Sequence, residues 1–285
     1  MPQEQQNPQI DSHDVSMKLG DWLDRFMTHT AADTLIRAFT TSFEISGKEN
    51  LPSAPAIWVM NHTGWLEAVL AHSRELSEDI PYSLAKTEVR GSAEGRFFRA
   101  LGAKFVYIRR GEVDRKAITE MVDKLAEGNN LLYFPEGTRG RGEERVKLKP
   151  AHPGFVFIAK KAAEKLNRPF PIVPMTVVGT EDVMGDLDVK KAPLSERMRV
   201  RRKPAVLTIG KPFLIYPGRF PKESLDIIAQ EIMLAIRDNL PPERHGAYMG
   251  VEHLDFPSVD YTFAEGRVIP VYQVLPQKLE QIVRR

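Results

Sequence analysis

His62 and Glu67 are the residues of this chain best suited to moving a proton, standing five apart in Asn61-His62-Thr63-Gly64-Trp65-Leu66-Glu67. An imidazole takes a proton from a hydroxyl near neutral pH. A carboxylate on its other ring nitrogen fixes the tautomer and stabilises the imidazolium that forms. Residues five apart inside one regular helix point about 140° from each other and cannot pair. They can pair when His62 lies in a turn and Glu67 in the first turns of the helix that follows. A second string, Phe134-Pro135-Glu136-Gly137-Thr138-Arg139-Gly140-Arg141-Gly142, joins glycines that permit close backbone approach to guanidinium forks suited to phosphate. Thr138 adds a hydroxyl donor, and a turn of this kind after a strand can cradle an anion. Arg109-Arg110 is the third element. Adjacent strand residues point to opposite faces, so one arginine can reach a shared rim while the other faces away. Taken singly, each has a bland reading: a satisfied His/Glu pair, a flexible turn, a solvated strand end.

These residues need elements to hold them. Ala56–Met60 is a short apolar run bounded by turn signals and reads as a buried strand, with His62 just past its end. Tyr82–Lys86, Lys104–Arg110, Asn130–Phe134, Ile172–Val178 and Ala205–Ile209 read as further strands. Glu67–Leu76, Arg96–Leu101, Asp114–Glu127, Gly154–Leu166 and Glu223–Asn239 read as helices between or after them. Alternation with helix-length connections predicts an α/β domain with a largely parallel central sheet flanked by helices on both faces. Ligands gather at the carboxyl ends of such strands, which is where His62, Arg109, Arg110 and the Glu136–Arg139 turn fall.

At these residues the sequence resembles the glycerolipid acyltransferase superfamily, which includes the 1-acylglycerol-3-phosphate acyltransferases. That family carries, in order, a His-x4-Asp motif, a Gly…Arg strand, a Phe-Pro-Glu-Gly-Thr-Arg turn and a Val-Pro strand. Here the blocks are His62…Glu67, Gly102…Arg110, Phe134–Arg139 and Ile172-Val173-Pro174, with a further family-like Ile209-Gly210-Lys211-Pro212-Phe213, so the likeness covers roughly residues 50–215. The resemblance implies His62 as general base and Glu67 as its orienting acid. It also implies Arg110, Glu136, Gly137, Thr138 and Arg139 as ligands of the acceptor's phosphate, with Arg109 beside them. The donor it implies is acyl-CoA or acyl-carrier protein, and the acceptor a lysolipid or glycerol phosphate. Two departures stand out. Glu67 replaces the usual Asp, a form similar to superfamily members that acylate lipid A, although those generally lack the Phe-Pro-Glu-Gly-Thr-Arg turn. The second block also has more residues between Gly102 and Arg110 than is common.

The 285 residues contain no cysteine and no Gly-x-Ser-x-Gly elbow, so no covalent nucleophile stands out, and direct transfer with His62 as base is the expected course. Scattered histidines at 72, 152, 245 and 253 show no ligand spacing, so no metal and no cofactor is expected. A net charge of +2 implies no nucleic-acid partner. No apolar run approaches the roughly 18 residues of a spanning helix, and the polar start lacks the features of a secretory signal. The chain divides into a disordered tail (1–15), amphipathic helices (16–48), an acyltransferase domain (49–240) and a C-terminal extension (241–285) in which periodicity fades. Residues 16–43 read as two short helices, the first with Leu19, Trp22, Leu23, Phe26 and Met27 on one face. That face either packs as core or docks in a lipid interface. Together with the basic run Arg197, Arg199, Arg201, Arg202 and Lys203, it predicts a cytoplasmic protein held peripherally at the cytoplasmic face of a membrane.

Overall fold

The computed structural model describes residues 12–109, 114–139, 142–181, 183, 201–254, 256, 258–263, 267–274 and 281. In chain order the elements are α1 (Ser12–Phe39), β1 (Thr40–Ser46), β2 (Ile57–Met60), α2 (Leu66–Leu70), β3 (Tyr82–Lys86), α3 (Ala93–Ala100), β4 (Lys104–Ile108) and α4 (Arg115–Ala126). Then come β5 (Leu131–Tyr133), α5 (Gly154–Leu166), β6 (Phe170–Val178), β7 (Lys203–Ile209), β8 (Phe213–Ile215), α6 (Glu223–Arg237), β9 (Ser258–Phe263) and β10 (Arg267–Val274). The ten described strands form one sheet, eight of them in the order β4-β3-β5-β2-β6-β8-β10-β9, with β7 and β1 branching from β6. The long strand β6 carries two partners on one edge: its first residues pair with β8 and its last with β7, which in turn pairs with β1. Pairing is parallel from β4 through β6 and antiparallel where β6 meets β7 and β8.

The sequence dictates two cores, one on each face. Successive strand residues point to opposite sides, so Ile57 and Val59 of β2 go one way while Trp58 and Met60 go the other. The first face receives the apolar stripes of α4, α5 and α6, including Met121, Phe155 and Ile232. The second receives α1 and α2, including Ile36, Leu66 and Leu70. Start and stop signals fit the helices they bound. The Asp114 side chain accepts from the Ala117 amide at the start of α4, and Ser92 caps α3 through the Gly95 amide. Asn167, in the left-handed conformation, closes α5.

Several expectations are corrected. Residues 16–43 do not form two helices. One 28-residue helix runs to Phe39, and the chain then enters strand β1, which carries Phe43 into the sheet. The sheet therefore begins ahead of residue 49. The helix expected over Glu67–Leu76 is only Leu66–Leu70, and the strand expected to reach Arg110 ends at Ile108. The region 241–285, which shows little pattern in sequence, contributes β9 and β10, with β10 pairing in parallel with β8. No described helix is long and apolar enough to cross a membrane.

The C-terminal half of α1 is bound to the body. Both ring nitrogens of His29 face carbonyl oxygens, of His72 at 2.8 Å and Glu78 at 3.1 Å. Arg202 clamps the end of the helix, donating to the carbonyls of Arg37 (2.9 Å) and Thr40 (3.0 and 2.7 Å), a favourable place for a cation. Gly102, at φ 83°, lies so close that an added Cβ would stand 1.8 Å from Thr28 Oγ1. Residues 20–27 of the helix are exposed, although Arg25 reaches Asp79 at 3.3 Å and Arg74 lies over the Phe26 ring. Trp22 and Phe26 continue the stripe of His29 and Ile36, yet remain 57% and 40% exposed, with Leu23 and Met27 uncovered beside them.

Candidate active site

The site grows from the carboxyl ends of β2, β5 and β6. Beyond Met60 the backbone leaves the ladder, and the Asn61 side chain takes over, accepting from Val177 N (2.8 Å) and donating to Val177 O (2.9 Å). This pins the turn that presents His62. The His62 amide donates to Glu136 Oε1 at 2.9 Å, and the ring stacks on Phe134 with centroids 4.1 Å apart. The turn after β2 thus rests on the turn after β5.

His62 Nδ1 faces Glu67 Oε2 at 3.8 Å, an ion-pair distance longer than a hydrogen bond, and neither atom has another partner. Pairing contacts of this kind are often long in an unliganded site and tighten on binding. The expected geometry, histidine in the turn and acid in the first turn of α2, is the one observed. The other oxygen, Glu67 Oε1, is fully used. It accepts from the amides of Thr63 (3.0 Å) and Gly64 (2.6 Å) and from the hydroxyls of Thr63 and Thr180, the latter at 2.8 Å. Glu67 is completely buried. Burial opposes its charge, but His62 opposite and the Thr63 and Thr180 hydroxyls outweigh it and bring the carboxyl down to about 2.

Glu136 is placed differently from the phosphate-binding role expected of it. It is buried, with Oε1 on the His62 amide and Oε2 on the Lys149 amide at 3.2 Å. A carboxylate would repel phosphate, and these oxygens are committed to backbone donors. Burial pushes its pKa up to about 7, helped by the nearby Glu67 charge and opposed by the two amides and Lys149. Gly137, Thr138 and Arg139 do line the cavity described below. Gly137 sits at φ 67° with its amide on the Phe134 carbonyl, and an added Cβ would press the His152 ring at 3.2 Å. Arg109 is exposed beside Asp114, its amide 3.3 Å from that carboxylate, and Ile108 rather than Arg109 lines the cavity. Arg110 lies outside the described residues, as do Arg197 and Arg199 of the basic run. Asn61, Thr180 and Lys149 were not singled out from sequence. Asn61 stood in the quoted motif, but the other two carry only long-range contacts that no local spacing announces.

Next to His62 opens a cavity of about 390 Å³. Trp65, Leu84, Val89, Phe98 and Phe105 give it apolar walls, and His62, Thr138 and Arg139 bring polar groups to it. Among the described residues no three His, Asp or Glu side chains gather as metal ligands.

The site is a histidine–carboxylate pair beside a largely apolar cavity, on the carboxyl rim of a mostly parallel sheet of an α/β protein. The Acyltransferase family model matches residues 42–178. The chain is 36% identical over 103 residues to a lyso-ornithine lipid O-acyltransferase of Pseudomonas aeruginosa, a stretch covering 35% of this chain and 38% of the relative. It is 27% identical over 210 residues to a 1-acyl-sn-glycerol-3-phosphate acyltransferase of Chlamydomonas reinhardtii, covering 71% and 54%. A lyso-ornithine lipid O-acyltransferase of Rhodobacter capsulatus matches at 31% over 121 residues, covering 42% and 40%. The chain therefore spans between 38% and 54% of the length of these curated relatives. Among solved structures, the 1-acyl-sn-glycerophosphate acyltransferase PlsC of Thermotoga maritima shares the fold, with TM-score 0.53 and 21% identity over 80% of this chain and 82% of that one. Residues 42–178, which match the Acyltransferase family model, hold His62, Glu67 and the Phe134–Arg139 turn.

Proposed function

We propose that the protein transfers a fatty acyl group from a thioester carrier, acyl-CoA or acyl-carrier protein, to a hydroxyl of a phosphate-bearing glycerolipid precursor such as 1-acylglycerol 3-phosphate. The observation that carries this reading is the His62 ring, which faces a buried, ionised Glu67 on one side and lines a largely apolar cavity of about 390 Å³. His62 Nε2 takes the proton of the acceptor hydroxyl as its oxygen attacks the thioester carbonyl. The tetrahedral intermediate expels the carrier thiolate, which takes the proton back from the imidazolium. Glu67 stabilises that cation across the short gap to Nδ1. Thr138 and Arg139 meet the acceptor phosphate, with Arg110 assigned the same role from sequence. The hydrocarbon chain fills the cavity.

The relative named for 1-acyl-sn-glycerol-3-phosphate supports the phosphate acceptor. The two named for lyso-ornithine lipid favour a second reading, in which the same base works on an aminolipid. The exposed stripe Trp22, Leu23, Phe26 and Met27 supports a peripheral place on the cytoplasmic face of a membrane, where acyl chains are met without leaving the bilayer.

The deciding experiment gives purified protein each donor with a panel of lysophosphatidic acid, glycerol 3-phosphate and lyso-aminolipids, and reads products by lipid mass spectrometry. Acylated phosphate lipid supports the first reading. Product from the aminolipid alone moves the conclusion to the second, and release of free fatty acid alone refutes transfer.

A further inference from the structure

Two residues that line the cavity carry buried polar atoms with no hydrogen-bond partner. His72 Nε2 and Ser83 Oγ are buried without a hydrogen-bond partner, and both side chains line the cavity that holds His62. His72 is 5% exposed and Ser83 4%. Trp65, which also lines the cavity, has an unpartnered Nε1. Buried polar atoms are nearly always paired, so a cluster of unpaired ones marks a place where a ligand atom belongs.

The orientation of His72 is settled by its other nitrogen. Nδ1 meets the carbonyl of Ala68, which can only accept, so Nδ1 carries the hydrogen. Burial holds the ring down to about 4, against the Ala68 bond that favours the cation, so the ring is neutral near pH 7. Nε2 then offers a bare lone pair. Ser83, on β3, stands opposite Leu132 of β5. Phe134, on which His62 stacks, comes two residues further along. At a rise of about 3.3 Å per residue, Ser83 lies about 7 Å deeper along the strands than the level of His62.

We propose that His72 Nε2 and Ser83 Oγ form a polar subsite for a hydroxyl group carried partway along a substrate's hydrocarbon chain. A hydroxyl satisfies both atoms: its O–H donates to Nε2, and its oxygen accepts from the Ser83 O–H. A keto oxygen only accepts and an ammonium only donates, so neither serves both. A plain methylene leaves both unpaired, and the protein then discriminates against the unsubstituted chain. The subsite rests on the reading of the cavity as a chain-binding channel. The hydroxylated chain belongs either to the acyl donor or to the lipid acceptor.

The test compares wild type with Ser83→Ala and His72→Asn. The asparagine keeps an N–H for the Ala68 carbonyl and deletes the Nε2 acceptor. Palmitoyl and monohydroxypalmitoyl chains compete for transfer across a series of hydroxyl positions. One arm places the hydroxyl on the donor thioester, the other on the acceptor's chain. Calorimetry with palmitate and hydroxypalmitates reads binding without turnover. Wild type is expected to favour the hydroxylated chain at one position by roughly tenfold, and each variant to bring that ratio close to one. Equal transfer in both arms with equal affinities, the outcome if water alone occupies the pair, overturns the subsite. So does a preference that survives in both variants. Transfer without selectivity refutes the subsite and leaves the acyltransferase reading standing. Hydroxyl-selective binding without transfer does the reverse.

Discussion

The carboxylate of Glu67 divides its oxygens between two tasks. Oε1 gathers two amides and two hydroxyls, while Oε2 is left for His62 alone. Removing one methylene would pull Oε1 away from donors held by three separate backbone positions. Glu67→Asp should therefore unfold at lower temperature than wild type and lose transfer, although the usual family member carries Asp here. Full activity in a stable Asp variant would show that the loop re-forms around the shorter chain. His62→Ala should abolish transfer while the melting temperature stays near wild type, since the ring is a partly exposed wall of the cavity. Residual activity above a few per cent would remove His62 from its role. Glu136 illustrates what sequence could not supply. Its place in the Phe134–Arg139 string suggested a phosphate ligand, but its partners are amides 74 and 13 residues away. It acts through His62, as a positioning residue. Glu136→Gln presents one amide N–H to a backbone donor, so kcat should fall by roughly tenfold or more with the acceptor KM little changed. A rise in acceptor KM alone would return Glu136 to the phosphate site.

At the scale of elements, legibility follows burial. β2, β3, β5, β6 and β7 show in sequence because apolar runs flanked by turn residues leave little alternative, and α4, α5 and α6 because one stripe faces a core. β1 is hard to read in sequence because its one buried residue is the polar Thr40 and only two apolar residues, Phe43 and Ile45, turn partly inward. The break expected within α1 is absent because His29 and Arg202 hold its second half through contacts far along the chain. Arg202, expected to attract lipid, is spent on that clamp. The exposed residues Trp22, Leu23, Phe26 and Met27 now carry the membrane prediction. Wild type should pellet with anionic vesicles and release as salt rises, because surface attraction is screened over about 10 Å at 0.1 M. Trp22→Ser with Phe26→Ser removes two exposed rings, so the variant should keep its melting temperature and stay in the supernatant. Pelleting like wild type would show that α1 is not the anchor. Gly102→Ala tests the other half of the helix: its Cβ would strike Thr28, loosening α1 and lowering the melting temperature.

At the scale of the whole molecule, three buried groups titrate with opposing effects on stability: His72, which lines the cavity, and Glu67 and Glu136, which hold the turn that carries His62. Glu67 has its pKa depressed from 4.5 to about 2, so the native state binds fewer protons than the unfolded chain in that interval. Its contribution is present above pH 4.5 and is lost as pH falls toward 2. His72 is depressed from 6.5 to about 4, so its neutral burial costs stability as pH falls through that window. Glu136 runs the other way. Raised from 4.5 to about 7, it binds a proton in the native state that the unfolded chain has released, and stability declines as pH rises from 4.5 to 7. Between pH 4.5 and 6.5 the last two slopes have opposite signs, so these two groups flatten the wild-type curve there. Each variant should unmask the other group. Glu136→Gln removes the falling slope, leaving stability to climb with pH across that window. His72→Asn removes the rising one, leaving stability to fall. Urea unfolding at closely spaced pH values reads these slopes directly, whatever each substitution costs in absolute stability. Curves for the two variants that run parallel to each other between pH 4.5 and 6.5 would show that the two groups titrate alike in the folded and unfolded chain.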